Sequence, residues 1–276
     1  MKRIIMTLSA VLFAAAAMAQ QNVSIEIIGH RGGRHEFDEN TISAFEGACK
    51  KGVRSFETDV RLSADNELVI IHDASLKRVA GVDMIVEKST REELSKIVTL
   101  KGHPIPFADQ LAEFFGTKDI HYVEWEMKAG DYTQEQLDIY CDKLYKTAMA
   151  SKPAGALYVF SSFSEKALRT MQRLHPEAEC MLIIGKPMSD ELIKKVTDLG
   201  LKRVACNVAG TSRKSMQNAH KAGLIVNLWP GGCIEDFQLA LALGADIACT
   251  DIPVELLKFV NKKMKWVSTV NDLSTK

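Results

Sequence analysis

The run Leu224-Ile225-Val226-Asn227-Leu228-Trp229, then Ile234-Glu235-Asp236-Phe237-Gln238-Leu239-Ala240-Leu241-Ala242-Leu243-Gly244, then Ile247-Ala248-Cys249-Thr250, sets the architecture of this chain. The outer pieces are short and mostly apolar, as strands covered on both faces are, and the middle piece reads as a helix over 234–243. Gly244 stands directly after it, where a left-handed cap turns the chain into the next strand. Strand, helix and strand joined this tightly form a parallel pair with a crossover.

The unit repeats upstream. Strands are expected over 180–184 and 203–207, helices over 189–199 and 212–222 stop at Gly200 and Gly223, and a helix over 164–174 ends before Pro176. Further apolar runs predict strands over 25–29, 53–60, 68–71, 121–128 and 156–161. Helices are expected over 42–51, capped by Asn40-Thr41 and stopped by Gly52, and over 134–149, capped by Thr133. Ala64-Asp65-Asn66 folds run 68–71 back as a hairpin, which leaves eight strands with intervening helices, the number that closes a barrel. The stretch 74–116 breaks the rhythm. It is expected to be a short insertion after the second strand region, an excursion over the active-site end with short helices near 90–97 and 108–115.

Lys2 and Arg3, the apolar run over 4–16 and the small-x-small site Ala17-Met18-Ala19 read as a secretory signal over 1–19. The remaining residues, 20–276, are then a single domain, expected to be exported to the periplasm or secreted. The apolar run is shorter than the ~20 residues a membrane span needs, so no stable insertion is expected after signal removal. Lys+Arg and Asp+Glu balance at 35 each, and no electrostatic case for nucleic acid arises. The six cysteines contain no C-x-x-C pair and read as buried thiols, with Cys233 behind Gly231-Gly232 as the exposed one.

Chemically expensive residues collect between 28 and 73. His30 and Arg31 follow strand 25–29, His72 and Asp73 follow 68–71, and Glu57 and Asp59 at i and i+2 share one face of a strand. An E-x-D strand alone reads more readily as solvent-facing acids, and a lone His30 as a capping or core histidine. The company they keep reverses that reading.

Gly29-His30-Arg31-Gly32, Glu39-Asn40-Thr41, Glu57-Thr58-Asp59 and His72-Asp73, in this order, resemble the H-R-G, E-N-T, E-x-D and H-D pattern of the glycerophosphodiester phosphodiesterase family. The resemblance continues through Glu126-Met127-Lys128, Ser162-Phe163, Trp229 and Thr250-Asp251-Ile252-Pro253, and so spans the chain after the signal. It implies a TIM-type (β/α)8 barrel that hydrolyses a small glycerophosphodiester to glycerol phosphate and an alcohol. It further implies one divalent cation, Mg²⁺ or Ca²⁺, on Glu57, Asp59 and Glu126, catalytic His30 and His72, phosphate contacts from Arg31 and Lys128, and Trp229 as a pocket wall. The residue types suit those roles. Carboxylates are hard ligands, two imidazoles titrate near neutral pH, and the guanidinium and ammonium groups oppose phosphate charge.

Glu124 shares a strand face with Glu126 and Lys128 but matches no position of the pattern, and Trp125 should point outwards to a helix. Asp38 replaces a common proline, Arg61 a small polar residue and Pro230 a threonine. His35 is a second-tier candidate, and His103, His121, His175 and His220 read as loop or surface residues. Competing readings keep the barrel and change the chemistry: a lysophospholipase D or sphingolipid phosphodiesterase, a glycoside hydrolase with an acid pair, or a phosphate-binding module without catalysis.

Overall fold

The computed structural model describes residues 23–269, so the expected signal over 1–19 lies outside the described residues. In chain order the strands are β1 (Val23–Ser24), β2 (Glu26–Gly29), β3 (Ser55–Leu62), β4 (Leu68–Ile70), β5 (Tyr122–Met127), β6 (Leu157–Ser162), β7 (Glu179–Pro187), β8 (Arg203–Asn207), β9 (Ile225–Trp229), β10 (Ile247–Thr250) and β11 (Val267–Ser268). Eight of them pair in parallel in the order β2-β10-β9-β8-β7-β6-β5-β3, and Gly29 beside Phe56 joins β2 to β3. That pairing closes a (β/α)8 barrel. β4 runs antiparallel on β3, with Val60 beside Ile70, as the expected hairpin requires. β1 and β11 pair with each other outside the barrel.

Each barrel strand is followed by a helix of the outer ring: Ile42–Lys50, Ala108–Gly116, Gln134–Ala150, Glu165–Leu174, Asp190–Asp198, Arg213–Lys221, Ile234–Leu243 and Pro253–Lys263. Hydroxyl caps start several of them, with Thr41, Thr133, Ser164, Ser189 and Ser212 each accepting a backbone N–H of the first turn. Gly200, Gly223 and Gly244 adopt φ of 70°, 79° and 87°, the left-handed exits read from the sequence. The main core lies between strands and helices, with Phe45, Phe56, Phe115, Trp125 and Phe160 buried in it. Trp125 points outwards as expected and meets Phe115 edge-on. Inside the barrel a smaller cluster that includes Ile28, Tyr122, Val159, Met181 and Ile247 fills the lumen.

Two sequence expectations change. β7 extends to Pro187 and carries an irregularity between Ile183 and Pro187, beyond the apolar run that predicted it. His175 lies in a loop, as one of the two readings has it, but is buried, because its ring stacks on Tyr145 with centroids 3.9 Å apart. The stretch after His72 forms its own apolar cluster from Val69, Ile71, Leu76, Val86, Leu94, Ile105 and Phe107. It also bonds to the loop after β2, where Thr99 and His103 reach Asp38 and Arg78 reaches Glu39.

Candidate functional site

Strand register brings the acids together. β3 and β5 run in parallel with Glu57 beside Glu124 and Asp59 beside Glu126, and alternation aims all four side chains into the lumen. Oxygens of Glu57, Asp59 and Glu126 lie within 4.8 Å of one another. The loop after β2 closes over them through an unusual backbone: Arg31 has φ 52° and ψ 34°, a left-handed turn that lets its N–H donate to Glu57 Oε2 at 2.9 Å. Gly33 continues the turn at φ 102°, where a Cβ would stand 2.9 Å from Pro253. Here glycine is required.

Two cations are folded into the acid group. Lys128 Nζ lies 2.6 Å from Glu126 Oε1 and 3.2 Å from Asp59 Oδ1, and Arg31 pairs with Asp59 Oδ2 at 3.1 Å and Glu39 Oε1 at 3.0 Å. Asn40 Nδ2 donates to Asp59 Oδ2 at 2.7 Å. Burial would raise the Asp59 carboxyl, but Lys128 and Arg31 outweigh it and hold it below the usual range. Glu57 goes the other way: burial and the neighbouring charges of Asp59 and Glu126 push it well up. Burial and Asp59 likewise raise Glu126 to about 7, against the pull of Lys128. Acids under such mutual repulsion, with Glu57 Oε1 buried and unpartnered, are short of positive charge. A hard divalent cation fits that shortage. With all three carboxylates ionised against Arg31 and Lys128, one negative charge remains, which a bound divalent cation would turn into one positive charge.

The two expected histidines line the same cavity, of about 220 Å³, together with Arg31, Glu57, Glu126 and Lys128. His30 Nδ1 lies 2.6 Å from Asp251 Oδ1, and His72 Nδ1 lies 2.6 Å from Asp73 Oδ1. Burial works to raise Asp251 and Asp73, but His30 on the first and Arg78 on the second overcome it, so both acids are held low and only accept. The proton of each neutral imidazole is therefore on Nδ1, which frees Nε2 for chemistry; His30 Nε2 lies 3.8 Å from Glu57 Oε2. Burial lowers both imidazoles below their ordinary value despite these acids.

Trp229 stands on the far wall of the cavity, edge-on to Phe163 at 6.1 Å. The structure thus gathers His30, His72, Arg31, Lys128, Trp229, Glu57 and Glu126 around one space, with Asp59 buried beside Glu57 and Glu126. His35 remains outside that lining, with Nε2 3.5 Å from Asp251 Oδ2. Sequence reasoning gave no role to Asp251, to Arg78, which bridges Glu39 and Asp73, or to Arg61, whose Nε donates to the His72 carbonyl at 2.7 Å. Glu124, set aside earlier, lines the cavity as well. For Asp251 a signal existed, since it sits inside the T-D-x-P motif.

A profile of the glycerophosphoryl diester phosphodiesterase family matches residues 30–255. A glycerophosphodiester phosphodiesterase of Caldanaerobacter subterraneus subsp. tengcongensis is 26% identical over 86% of this chain and 98% of its own length. Among solved structures, an Oleispira antarctica phosphodiesterase in complex with the product sn-glycerol-3-phosphate superposes with a TM-score of 0.78 at 20% identity, over 86% of this chain and 96% of that one. A glycerophosphodiester phosphodiesterase from Parabacteroides distasonis gives 0.73 at 23% identity, over 89% of this chain and all of that one. With the barrel, the acid cluster and the cavity in place, this chain belongs to the glycerophosphoryl diester phosphodiesterase family and is a hydrolase of glycerophosphodiesters.

Proposed function

We propose that His30 and His72 divide the proton transfers of phosphodiester hydrolysis across a phosphate held at Glu57, Asp59 and Glu126 through Mg²⁺ or Ca²⁺. One observation carries this reading: two imidazoles with Nε2 free line the same cavity as a charge-starved carboxylate cluster. A bound divalent cation would draw charge from a phosphate oxygen and lower the pKa of an oxygen bound to it. Arg31 and Lys128 steady the remaining phosphate oxygens while they keep Asp59 ionised.

One imidazole takes the proton of the attacking oxygen, that of water or of the neighbouring glycerol hydroxyl, as the new P–O bond forms, and the other, protonated, returns a proton to the departing alkoxide as the old P–O bond breaks. Where the glycerol hydroxyl attacks, the product of that step is a cyclic phosphate, which water then opens with the roles of the two rings exchanged. Asp251 and Asp73 hold the rings in the required tautomer. The positive start, apolar run and small-residue site of residues 1–19 support export to the periplasm or beyond. No helix of the described residues is long and apolar enough to cross a membrane.

Glycerophosphocholine hydrolysis should vanish on chelation and return with added Mg²⁺ or Ca²⁺. Activity indifferent to both treatments sinks the metal assignment. A second reading, cleavage of an intact lysophospholipid, is favoured by Phe163, 46% exposed beside Trp229 at the cavity mouth. Turnover of lysophosphatidylcholine at a rate matching glycerophosphocholine would move the assignment there.

A further inference from the structure

Glu124 and Asn227 form the floor of the cavity, and the phosphodiester chemistry above uses neither. Glu124 sits one layer below Glu126 on β5, and Asn227 one layer below Trp229 on β9, above the lumen cluster that includes Tyr122. The two meet across the barrel, with Asn227 Nδ2 donating to Glu124 Oε2 at 3.3 Å while Ser161 Oγ donates to Glu124 Oε1 at 2.8 Å. Both are 2% exposed.

An Asn side chain has one donor end and one acceptor end, and here the amide turns its donor end towards Glu124 and its acceptor end away from it. Asn227, which lines the cavity, keeps its Oδ1 buried with no hydrogen-bond partner. Trp229 Nε1, on the same face of β9, is a buried donor likewise without a partner. An orphaned acceptor and an orphaned donor on two residues that line one cavity mark places where a ligand can supply complementary groups. A hydroxyl supplies both, since it donates and accepts at once. A trimethylammonium group supplies neither, and an alkyl chain leaves both atoms unpaired.

Resting on the phosphodiester reading, we propose that Asn227 is a specificity-determining residue that reads a hydroxyl on the polyol part of the substrate, with Glu124 as the positioning residue that orients its amide. The polyol is either the glycerol unit itself or a polyhydroxylated leaving alcohol. The apolar wall of Ile183, Ala205 and Cys249 beside the pair offers no competing polar side chain, so the hydroxyl has one place to go.

Calorimetric titration of the cation-loaded enzyme with sn-glycerol 3-phosphate and with n-propyl phosphate isolates the hydroxyl term. The wild type should prefer glycerol phosphate by about tenfold or more, because a site built for a hydroxyl rejects the analogue lacking it. In Asn227→Leu and in Glu124→Leu the ratio should fall towards one, and in Glu124→Gln, whose amide oxygen still accepts from Asn227, it should survive. Asn227→Ser, read by the same ratio, stands in if the leucine variant does not fold. A wild-type ratio near one, or a ratio untouched by Asn227→Leu, overturns the glycerol unit as the source of the hydroxyl and leaves the phosphate site intact. Failure of both compounds to bind overturns the phosphate reading and this one together. The source of the hydroxyl follows from kcat/KM of Asn227→Leu. Equal losses on glycerophosphocholine and glycerophosphoglycerol point to the glycerol unit, a loss on the second alone points to the leaving polyol, and no loss on either overturns the assignment.

Discussion

The two walls of the barrel mouth are built from the same strand-helix rhythm and could hardly differ more. On the wall of β2, β3 and β5, every side chain that meets the cavity is ionisable: His30, Arg31, Arg34, Glu57, Glu124, Glu126 and Lys128, over the buried Asp59. On the wall of β7 to β10 the cavity meets Ile183, Ala205 and Cys249, with Trp229 and Asn227 as its polar exceptions. Chemistry and recognition are thereby separated in space. The charged wall should govern kcat, where charge develops in the transition state, and the apolar wall should govern how the alcohol parts fit.

The largest effect tests the charged wall. His30→Ala should lower kcat by about 10²- to 10⁴-fold, the range for a general acid or base, while KM moves by only a few-fold. A variant with kcat near wild type would show that the proton transfers lie elsewhere. Next comes the cation. Mg²⁺ or Ca²⁺ at about a hundred times its Kd should stabilise the wild type by ~2.7 kcal/mol, readable as a rise in Tm, and Glu57→Gln should lose most of that rise. An equal rise in the variant would place the ion away from Glu57. Smaller again, Trp229→Ala should cost about tenfold in kcat/KM, borne mainly by KM, since it removes an apolar face from the recognition wall. A loss confined to kcat would erase the division between the walls.

The walls were not equally legible in the sequence. On the charged side, E-x-D on β3 and E-x-K on β5 needed only period-two alternation and a parallel register to meet. The glycine exits at Gly200, Gly223 and Gly244 told of the parallel sheet that sets such a register. Contacts between distant segments stayed hidden. His30 and Asp251 lie 221 residues apart, and nothing local pairs them; barrel closure through β10 and β2 does. Glu124 was visible as a charge on the right face, yet its partner Asn227 looked like one polar residue in an apolar strand. Only the lumen shows them bonded. His175, read as loop or surface, does lie in the loop after the helix Glu165–Leu174, but its burial stayed hidden because only the folded chain stacks Tyr145 on it.

The closed end of the barrel provides the smallest and most discriminating test, because it holds an acid without the cations of the mouth. Glu26 on β2 accepts from Ser55, and burial raises its carboxyl to about 7 against that hydrogen bond. The unfolded chain loses this proton near 4.5, so between 4.5 and 7 the folded state binds more protons than the unfolded one. The contribution of Glu26 to stability must therefore fall as pH rises through that window and level off above it. Glu26→Gln keeps the acceptor for Ser55 and removes the titration. Its advantage over wild type should be near zero at pH 5 and grow to on the order of 1 kcal/mol at pH 8, once the partial exposure of Glu26 is allowed for. Denaturant unfolding at the two pH values decides it. A difference independent of pH would mean that Glu26 is ionised in the folded protein, and that acids in this barrel need no cation to stay charged.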